Sequence, residues 1–300
     1  MGASRGGYRC RVADIRTAQP QDVEGIFDLL STRSRAAFGI SEIVREHVAQ
    51  ALGRANGTDR WVAVAGRTIV GYAALDSAQD LVHAAVDPGV GDALLARAEA
   101  RAQQRGFGHI AITTVAEDQP LSSLVARHGF VHDRDILRMW RTLDGVLPDV
   151  RWPAGASVRT YEDADSARVH ALLDASYAGW DTAYIAVPHD EWVVFMTDHA
   201  EFDQQLWFLV EQDGELVACA LHWKAHQGSG WVKDLAVSEG ERGRGLGKAL
   251  LCHAFHAYVA RGATRLGLKV DANNPTGALQ LYAQAGFTTD RRYGIWTHAL

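Results

Sequence analysis

Apolar runs along the chain come twice in the same order. Trp61-Val62-Ala63-Val64, a turn at Ala65-Gly66-Arg67 and a further apolar run are matched by Trp207-Phe208-Leu209-Val210, a turn at Asp213-Gly214 and residues 216–223. Apolar segments joined by a short glycine-bearing turn read as β-hairpins. Upstream, Ile15-Arg16-Thr17 with Asp22 is echoed 143 residues later by Val158-Arg159-Thr160 with Asp165, and each set leads into a helical pattern. Downstream, each half offers a strand, a glycine-containing loop, a helix, a strand and a helix that ends at Gly129-Phe130 or Gly286-Phe287. The tails agree too, since Phe130, Asp133, Arg134 and Leu143 correspond to Phe287, Asp290, Arg291 and Leu300.

A tandem duplication accounts for this pattern. It predicts an α/β fold of two similar domains, each a mostly antiparallel mixed sheet flanked by helices. The expected boundaries are residues 1–147 and 156–300, joined by a linker over 148–155 in which Pro148, Pro153 and Gly155 interrupt any regular pattern.

Composition narrows the partners. A 300-residue chain that is 47% hydrophobic can bury two ordinary cores, and a formal charge of −6 offers no basic sheath for nucleic acid or an anionic membrane. The first residues carry Arg5, Arg9 and Arg11 with no apolar stretch behind them, so neither a secretory signal nor a membrane span is expected. Cys10, Cys219 and Cys252 share no disulfide or metal spacing, which fits packing cysteines in a reducing, cytoplasmic setting and no metal site.

The strongest local signal is the run from Trp231 to Val237 followed by Arg242-Gly243-Arg244-Gly245-Leu246-Gly247-Lys248. Leu246, Ala249, Leu250, Ala254, Ala257 and Tyr258 then fall at helical spacing, and Arg261-Gly262 supplies a stop, so the glycines sit where a helix begins. A helix N-terminus leaves backbone N–H groups without partners, and glycines let a diphosphate approach them closely. A Walker loop would need glycine at 242 and a hydroxyl at 249, where Arg242 and Ala249 stand. A dinucleotide fingerprint would need its third glycine at Lys248.

Arg242-x-x-Gly245-x-Gly247 after a strand ending in Leu235-Ala236-Val237 resembles the acyl-CoA signature of the GNAT acetyltransferase superfamily, and the resemblance spans the whole second half. It implies acetyl-CoA as acyl donor, with the pyrophosphate held by the backbone of Arg242, Gly243, Arg244, Gly245, Leu246, Gly247 and Lys248. The pantetheine arm would lie along Leu235, Ala236 and Val237 and near Asn274, with Tyr282 beside the thioester sulfur. The implied reaction is N-acetyl transfer by direct attack of a small-molecule amine on the bound thioester, in a ternary complex. Tyr282 would protonate the departing thiolate. The strand position that often holds a glutamate in the family, fourteen residues before Gly245, is Trp231. Asp234, three residues on, is expected on the opposite side of an ideal strand, while His222 and Asp271 qualify only if folding brings them into the cleft. The base is therefore unassigned. Asn274 is also expected to cap the following helix, with Pro275 in its first turn.

Residues 160–205 hold ten acids against one base, Arg168. In the family the first helices wall the acceptor site, so the resemblance implies a cationic acceptor, with Tyr177, Trp180, Asp181, Tyr184 and Trp192 as candidate lining. The first half lacks the equipment: Val86-Asp87-Pro88-Gly89-Val90-Gly91 is five residues shorter over the loop and has no arginine, and Val125 stands in the place of Tyr282. It is expected to be a scaffold or a wall of the acceptor site and not a second catalyst. Tandem halves with an intact second half are similar to the mycothiol synthase-like members of the family, whose acceptor is a cysteinyl amino-sugar conjugate. An O-acetyltransferase and a non-catalytic CoA-binding sensor are the other readings. Oligomeric state is left open.

Overall fold

The computed structural model describes residues 13–53, 58–178, 186–226 and 228–300. It forms two compact units, Met1–Arg134 with Tyr293–Leu300, and Asp135–Arg292.

The first unit runs β1 (Asp14–Thr17), α1 (Val23–Phe38), α2 (Arg45–Gly53), β2 (Asp59–Ala65), β3 (Thr68–Leu75), β4 (Leu81–Ala85), α3 (Pro88–Gln104), β5 (His109–Thr114) and α4 (Gln119–Arg127). Strands β1 to β4 form an antiparallel sheet in chain order. Helices α3 and α4 pack Leu94, Leu95 and Leu124 with Ala63, Leu75 and Ile110, while Ile26 and Leu29 of α1 join Val62, Tyr72 and Ala84 in a second cluster. Strand β5 pairs antiparallel with residues 294–299 at the chain's end.

The second unit takes residues 136–142 of β6 (Val131–Thr142), then β7 (Ala156–Thr160), α5 (Ser166–Ala178), α6 (His189–Thr197), β8 (Phe208–Gln212), β9 (Glu215–His226), β10 (Ser229–Val237), α7 (Leu246–Val259), β11 (Arg265–Asp271) and α8 (Ala278–Gln284). The final strand, β12 (Thr288–Ala299), begins here and ends in the first unit. The sheet order is β7-β8-β9-β10-β11-β6, antiparallel except for β10 against β11. One core cluster packs Leu250, Leu251, Phe255 and Tyr258 of α7 with Val232 and Leu268, and another packs Val169 and Leu173 of α5 with Leu209, Leu221 and Ala236. Gly230 is required here, because a Cβ at that position would stand 2.2 Å from the ring of Tyr258.

The repeat seen in the sequence has a structural counterpart. In each unit one strand's arginine, on β1 or β7, makes a two-pronged ion pair with the aspartate of the next turn, Arg16 to Asp22 at 2.7 Å and Arg159 to Asp165 at 2.6 Å. Each aspartate also accepts a backbone N–H, from Gln19 and Glu162 respectively. The two expected hairpins form as β2–β3 and β8–β9, the second turning through Asp213 (φ +52°) and Gly214 (φ +83°). The units do not coincide with residues 1–147 and 156–300: Arg265–Asp271 of β11 pairs with residues 136–142 of β6, so the first half's last strand completes the second unit's sheet. Residues 293–300 in turn belong with the first unit. Among the described residues no helix is long and apolar enough to cross a membrane.

Candidate functional site

Strands β10 and β11 pair in parallel only over Ser229, Gly230 and Trp231 against Arg265, Leu266 and Gly267. Beyond that point β10 stays with β9 through Val237, and β11 stays with β6 through Asp271, so the two strands diverge. Leu235, Ala236 and Val237 lie on the diverging stretch, and Arg242 to Lys248 follow at its end. One edge of β10 is thus left without a strand partner, and its backbone groups can serve an extended, amide-bearing ligand.

Helix α7 starts at the far end of β10. Gly243 and Gly245 both hold left-handed backbone angles, φ +77° and +94°, and Gly245 as the N-cap brings no side chain to the helix end. The first-turn amides therefore face outward as donors for an anion. Gly247 is buried, and a Cβ there would come within 3.0 Å of Leu281 and 3.6 Å of Leu235, so this glycine lets α7, α8 and β10 approach each other. The Leu246 side chain points into the core at 1% exposure, which leaves only its backbone for a ligand. Arg242 donates through Nε to the Val237 carbonyl at 3.1 Å, and Arg244 pairs with Glu241, so both arginines brace the loop. Lys248 is exposed and lines a cavity of about 470 Å³ together with Arg141, Cys252 and Gln284.

The first unit treats the matching helix end differently. The Asp87 carboxylate caps α3 by accepting from Val90 N at 2.9 Å, which puts a negative charge where a phosphate would have to sit. Arg33 donates to the Ala85 carbonyl at the end of β4 and pairs with Asp118, the N-cap of α4.

Tyr282 lies on α8, 7% exposed, with its ring edge-on to Phe287 at 5.9 Å. Burial first, and the Asp234 carboxylate second, push its pKa above the ordinary phenol value. Asn274 does not cap α8. Its side-chain oxygen accepts from Thr276 N at 2.9 Å, closing an Asx turn, and the helix starts only at Ala278 behind Gly277, whose φ is +81°.

The expected placement of Asp234 is corrected by the structure. Trp231 and Val232 stand opposite Trp223 and His222, but Asp234 stands opposite Leu221, so Lys233 is an extra residue that bulges β10. After the bulge the strand's faces exchange: Val232, Leu235 and Val237 pack on the α7 side, whereas Trp231 and Ala236 pack on the α5 side. Asp234 faces α5 as well, where Tyr177 donates to Oδ1 at 2.7 Å and Lys233 Nζ lies 3.1 Å from Oδ2. It is 7% exposed. The Asp234 charge, and then burial, raise the Tyr177 pKa well above the usual phenol range, while burial and the same charge raise the Cys219 thiol on β9. The readable sign of this bulge was the adjacent polar pair Lys233-Asp234, which breaks period-two alternation inside an apolar strand.

The other candidate bases stay away from this cluster. His222 is fully buried, 5.5 Å from the Phe208 ring and 5.7 Å from Tyr258, and Asp271 accepts from Asn273 N at 2.7 Å in the turn after β11. Trp231 meets Trp140 edge-to-face at 5.5 Å. Among the proposed lining residues Tyr177 reaches the site, Trp192 packs 6.1 Å from Trp207 in the α5–α6 core, and Trp180, Asp181 and Tyr184 lie outside the described residues. Of the acids between 160 and 205, Asp165 is held by Arg159 and Asp203 by the amide of Gln205.

Comparison with known proteins gives consistent matches. The profile of the Acetyltransferase (GNAT) family matches residues 167–287. A mycothiol acetyltransferase from Frankia alni is 30% identical over 96% of this chain and 96% of its own. One from Thermomonospora curvata is 32% identical over 76% of this chain and 77% of its own. Among solved structures, a GCN5-related N-acetyltransferase from Sphaerobacter thermophilus superposes with a TM-score of 0.77 at 25% identity, covering 96% of this chain and 95% of that one. A tandem GNAT protein from the clavulanic acid biosynthesis pathway shares the fold, with a TM-score of 0.74 at 18% identity, over 96% of this chain and 98% of that one.

Proposed function

Because the chain belongs to the GNAT acetyltransferase family and is an acyltransferase, we propose that it transfers the acetyl group of acetyl-CoA to the amine of a small cationic acceptor, both substrates being bound together. The observation that carries this reading is the parting of β10 and β11 just beyond Trp231 and Gly267, with an uncapped helix N-terminus at one end and Tyr282 close by. Pantetheine would lie against residues 235–237 with Asn274 nearby, and the diphosphate on the amides at 243–248, where Arg242 and Arg244 hold the loop in place. Tyr282 protonates the thiolate as it leaves. The acceptor is of the mycothiol type, a cysteinyl amino-sugar conjugate, as the named relatives and the tandem arrangement favour. The first unit, with Asp87 on its helix end, acts as scaffold.

Free-thiol release from acetyl-CoA in the presence of amino sugars, cysteinyl amino-sugar conjugates and polyamines tests the reading. Saturable turnover with at least one amine is expected. Calorimetric binding of CoA without thiol release for any of them would leave a CoA-binding sensor instead.

The asymmetry between the units has its own test. Valine at Gly245 would have to adopt φ near +94°, at a strain of about 1–3 kcal/mol, and the loop would relieve it by turning its amides away. Gly245→Val is therefore expected to weaken CoA binding by about 10- to 100-fold. At Gly89 a Cβ would meet only the Asp87 carboxylate at 3.5 Å, so Gly89→Val should leave CoA affinity unchanged. Equal losses in calorimetry would overturn the assignment of the binding unit.

A further inference from the structure

We propose that Asp234 is the proton acceptor of the transfer and that Tyr177 is its positioning residue, placed together by the extra residue Lys233 in β10; the inference rests on the acetyl-transfer reading above.

Three observations converge on this. The bulge moves Asp234 to the α5 face, which it shares with Trp231. Asp234 lies three residues beyond the last position at which β10 pairs with β11, on the stretch where the strand has no partner on that edge. A carboxylate only 7% exposed needs partners, and it has one on each oxygen, Tyr177 Oη at 2.7 Å and Lys233 Nζ at 3.1 Å. A carboxylate accepts more than one hydrogen bond per oxygen, so both partners leave lone pairs for an incoming N–H. Finally, groups from three other elements sense its charge: Tyr177 on α5, Cys219 on β9 and Tyr282 on α8.

The proton inventory closes. A neutral amine attacks the thioester carbonyl carbon, the N–C bond forms and the carbonyl π pair moves to oxygen. Asp234 takes the surplus proton from the adduct nitrogen. The carbonyl re-forms, the C–S bond breaks with its pair on sulfur, and the Tyr282 hydroxyl protonates the thiolate. The Asp234 proton then returns to the Tyr282 phenolate, so amine plus thioester becomes amide plus thiol with both side chains restored. The order has a physical logic, because the negative charge of Asp234 is one cause that holds the Tyr282 proton. Neutralising Asp234 makes Tyr282 a stronger acid at the step that needs one.

Asp234→Asn and Tyr177→Phe, made in the full chain and assayed with acetyl-CoA and the amine that the wild type turns over best, provide the test. Asp234→Asn should lower kcat at least tenfold while the CoA dissociation constant and the acceptor KM stay within twofold. Tyr177→Phe removes the hydrogen bond that holds the carboxylate and should lower kcat severalfold at unchanged KM, with Lys233 still on the other oxygen. A purely structural Asp234 would lose activity in parallel with CoA affinity. That result, or wild-type kcat in Asp234→Asn, overturns the proposal. If Asp234→Asn does not fold, wild-type kcat in Tyr177→Phe is equally decisive. Wild-type protein that binds CoA but turns over no amine fails the acetyl-transfer reading itself, and this inference falls with it.

Discussion

Tyr282→Phe is expected to lower kcat about a hundredfold or more while acetyl-CoA binds as before. General acid–base groups contribute roughly 10²–10⁴ in rate, and a thiol with a reference pKa of about 8.5 is a tolerable leaving group even without help, which places this loss near the lower end. The phenol is 7% exposed, and burial followed by the Asp234 charge keeps its proton on at every pH at which the protein would be assayed. It therefore enters the reaction as an acid and not as a base. Phenylalanine keeps the ring against Phe287, so folding and the neighbouring α7 contacts should be retained. Single-turnover measurement of thiol release separates this chemical step from binding. A kcat within threefold of wild type would remove Tyr282 from the mechanism and return the leaving thiolate's proton to solvent.

The local geometry of the candidate site was legible because its signals lie close together in the chain. The glycine pattern at 243–247 sits at a helix start in the structure, and Gly243 and Gly245 hold left-handed angles, which glycine adopts at the least cost. The segments that hold Arg16 with Asp22 and Arg159 with Asp165 repeat at one offset, so the repeat is readable in the sequence while the ion pairs within it are seen only in the fold. What escaped depends on distant partners. The face occupied by Asp234 is set by one extra residue relative to β9, and period-two counting from Trp231 gives the wrong side. The exchange of last strands was invisible for a different reason. The two halves end in closely similar segments, and similar strands carry no local mark of which sheet they will complete. Asn274 looks like a helix cap in the sequence because an Asx turn and an N-cap use the same side-chain acceptor, and only the start of α8 at Ala278 distinguishes them.

The contrast between the units follows from one substitution of roles at a helix start. In the second unit a glycine leaves the amides of α7 available, and the chain's own cations fix the loop. In the first, the Asp87 carboxylate serves as the anion for α3. The helix start of the first unit is thus satisfied from within, and that of the second is left open for the proposed ligand. A stability gain on adding CoA is expected only from the unit that leaves the position open.

Acid should destabilise the folded protein at His222. This side chain is fully buried on β9 between Phe208 and Tyr258, and neither ring nitrogen has a hydrogen-bond partner. Burial, with a smaller contribution from His253, lowers its pKa to about 3. In the unfolded chain an imidazole titrates near 6.5. Between these values the unfolded state binds a proton that the folded state refuses, so stability is undiminished above about pH 6.5 and falls as the pH drops towards 3. The slope is about 1.4 kcal/mol per pH unit. At pH 4.5 the loss from this one group is about 2.7 kcal/mol, a large share of an ordinary domain's stability of roughly 5–15 kcal/mol. His83 and His253 are shifted in the same direction by burial, whereas Asp80, raised by burial to about 6, and Asp76, also raised, bind protons in the folded state over part of this window and oppose them. The carboxylates Asp22, Asp92 and Asp165 act mainly below their ordinary pKa of 3.8, so the His222 contribution is isolated by comparing wild type with a variant. His222→Phe replaces the unpartnered ring with an apolar one of similar size beside Phe208. Urea denaturation at pH 7.5 and 4.5 should show the variant losing about 2.7 kcal/mol less than wild type over that interval. Parallel losses would mean that the His222 ring is solvated or partnered in the folded protein.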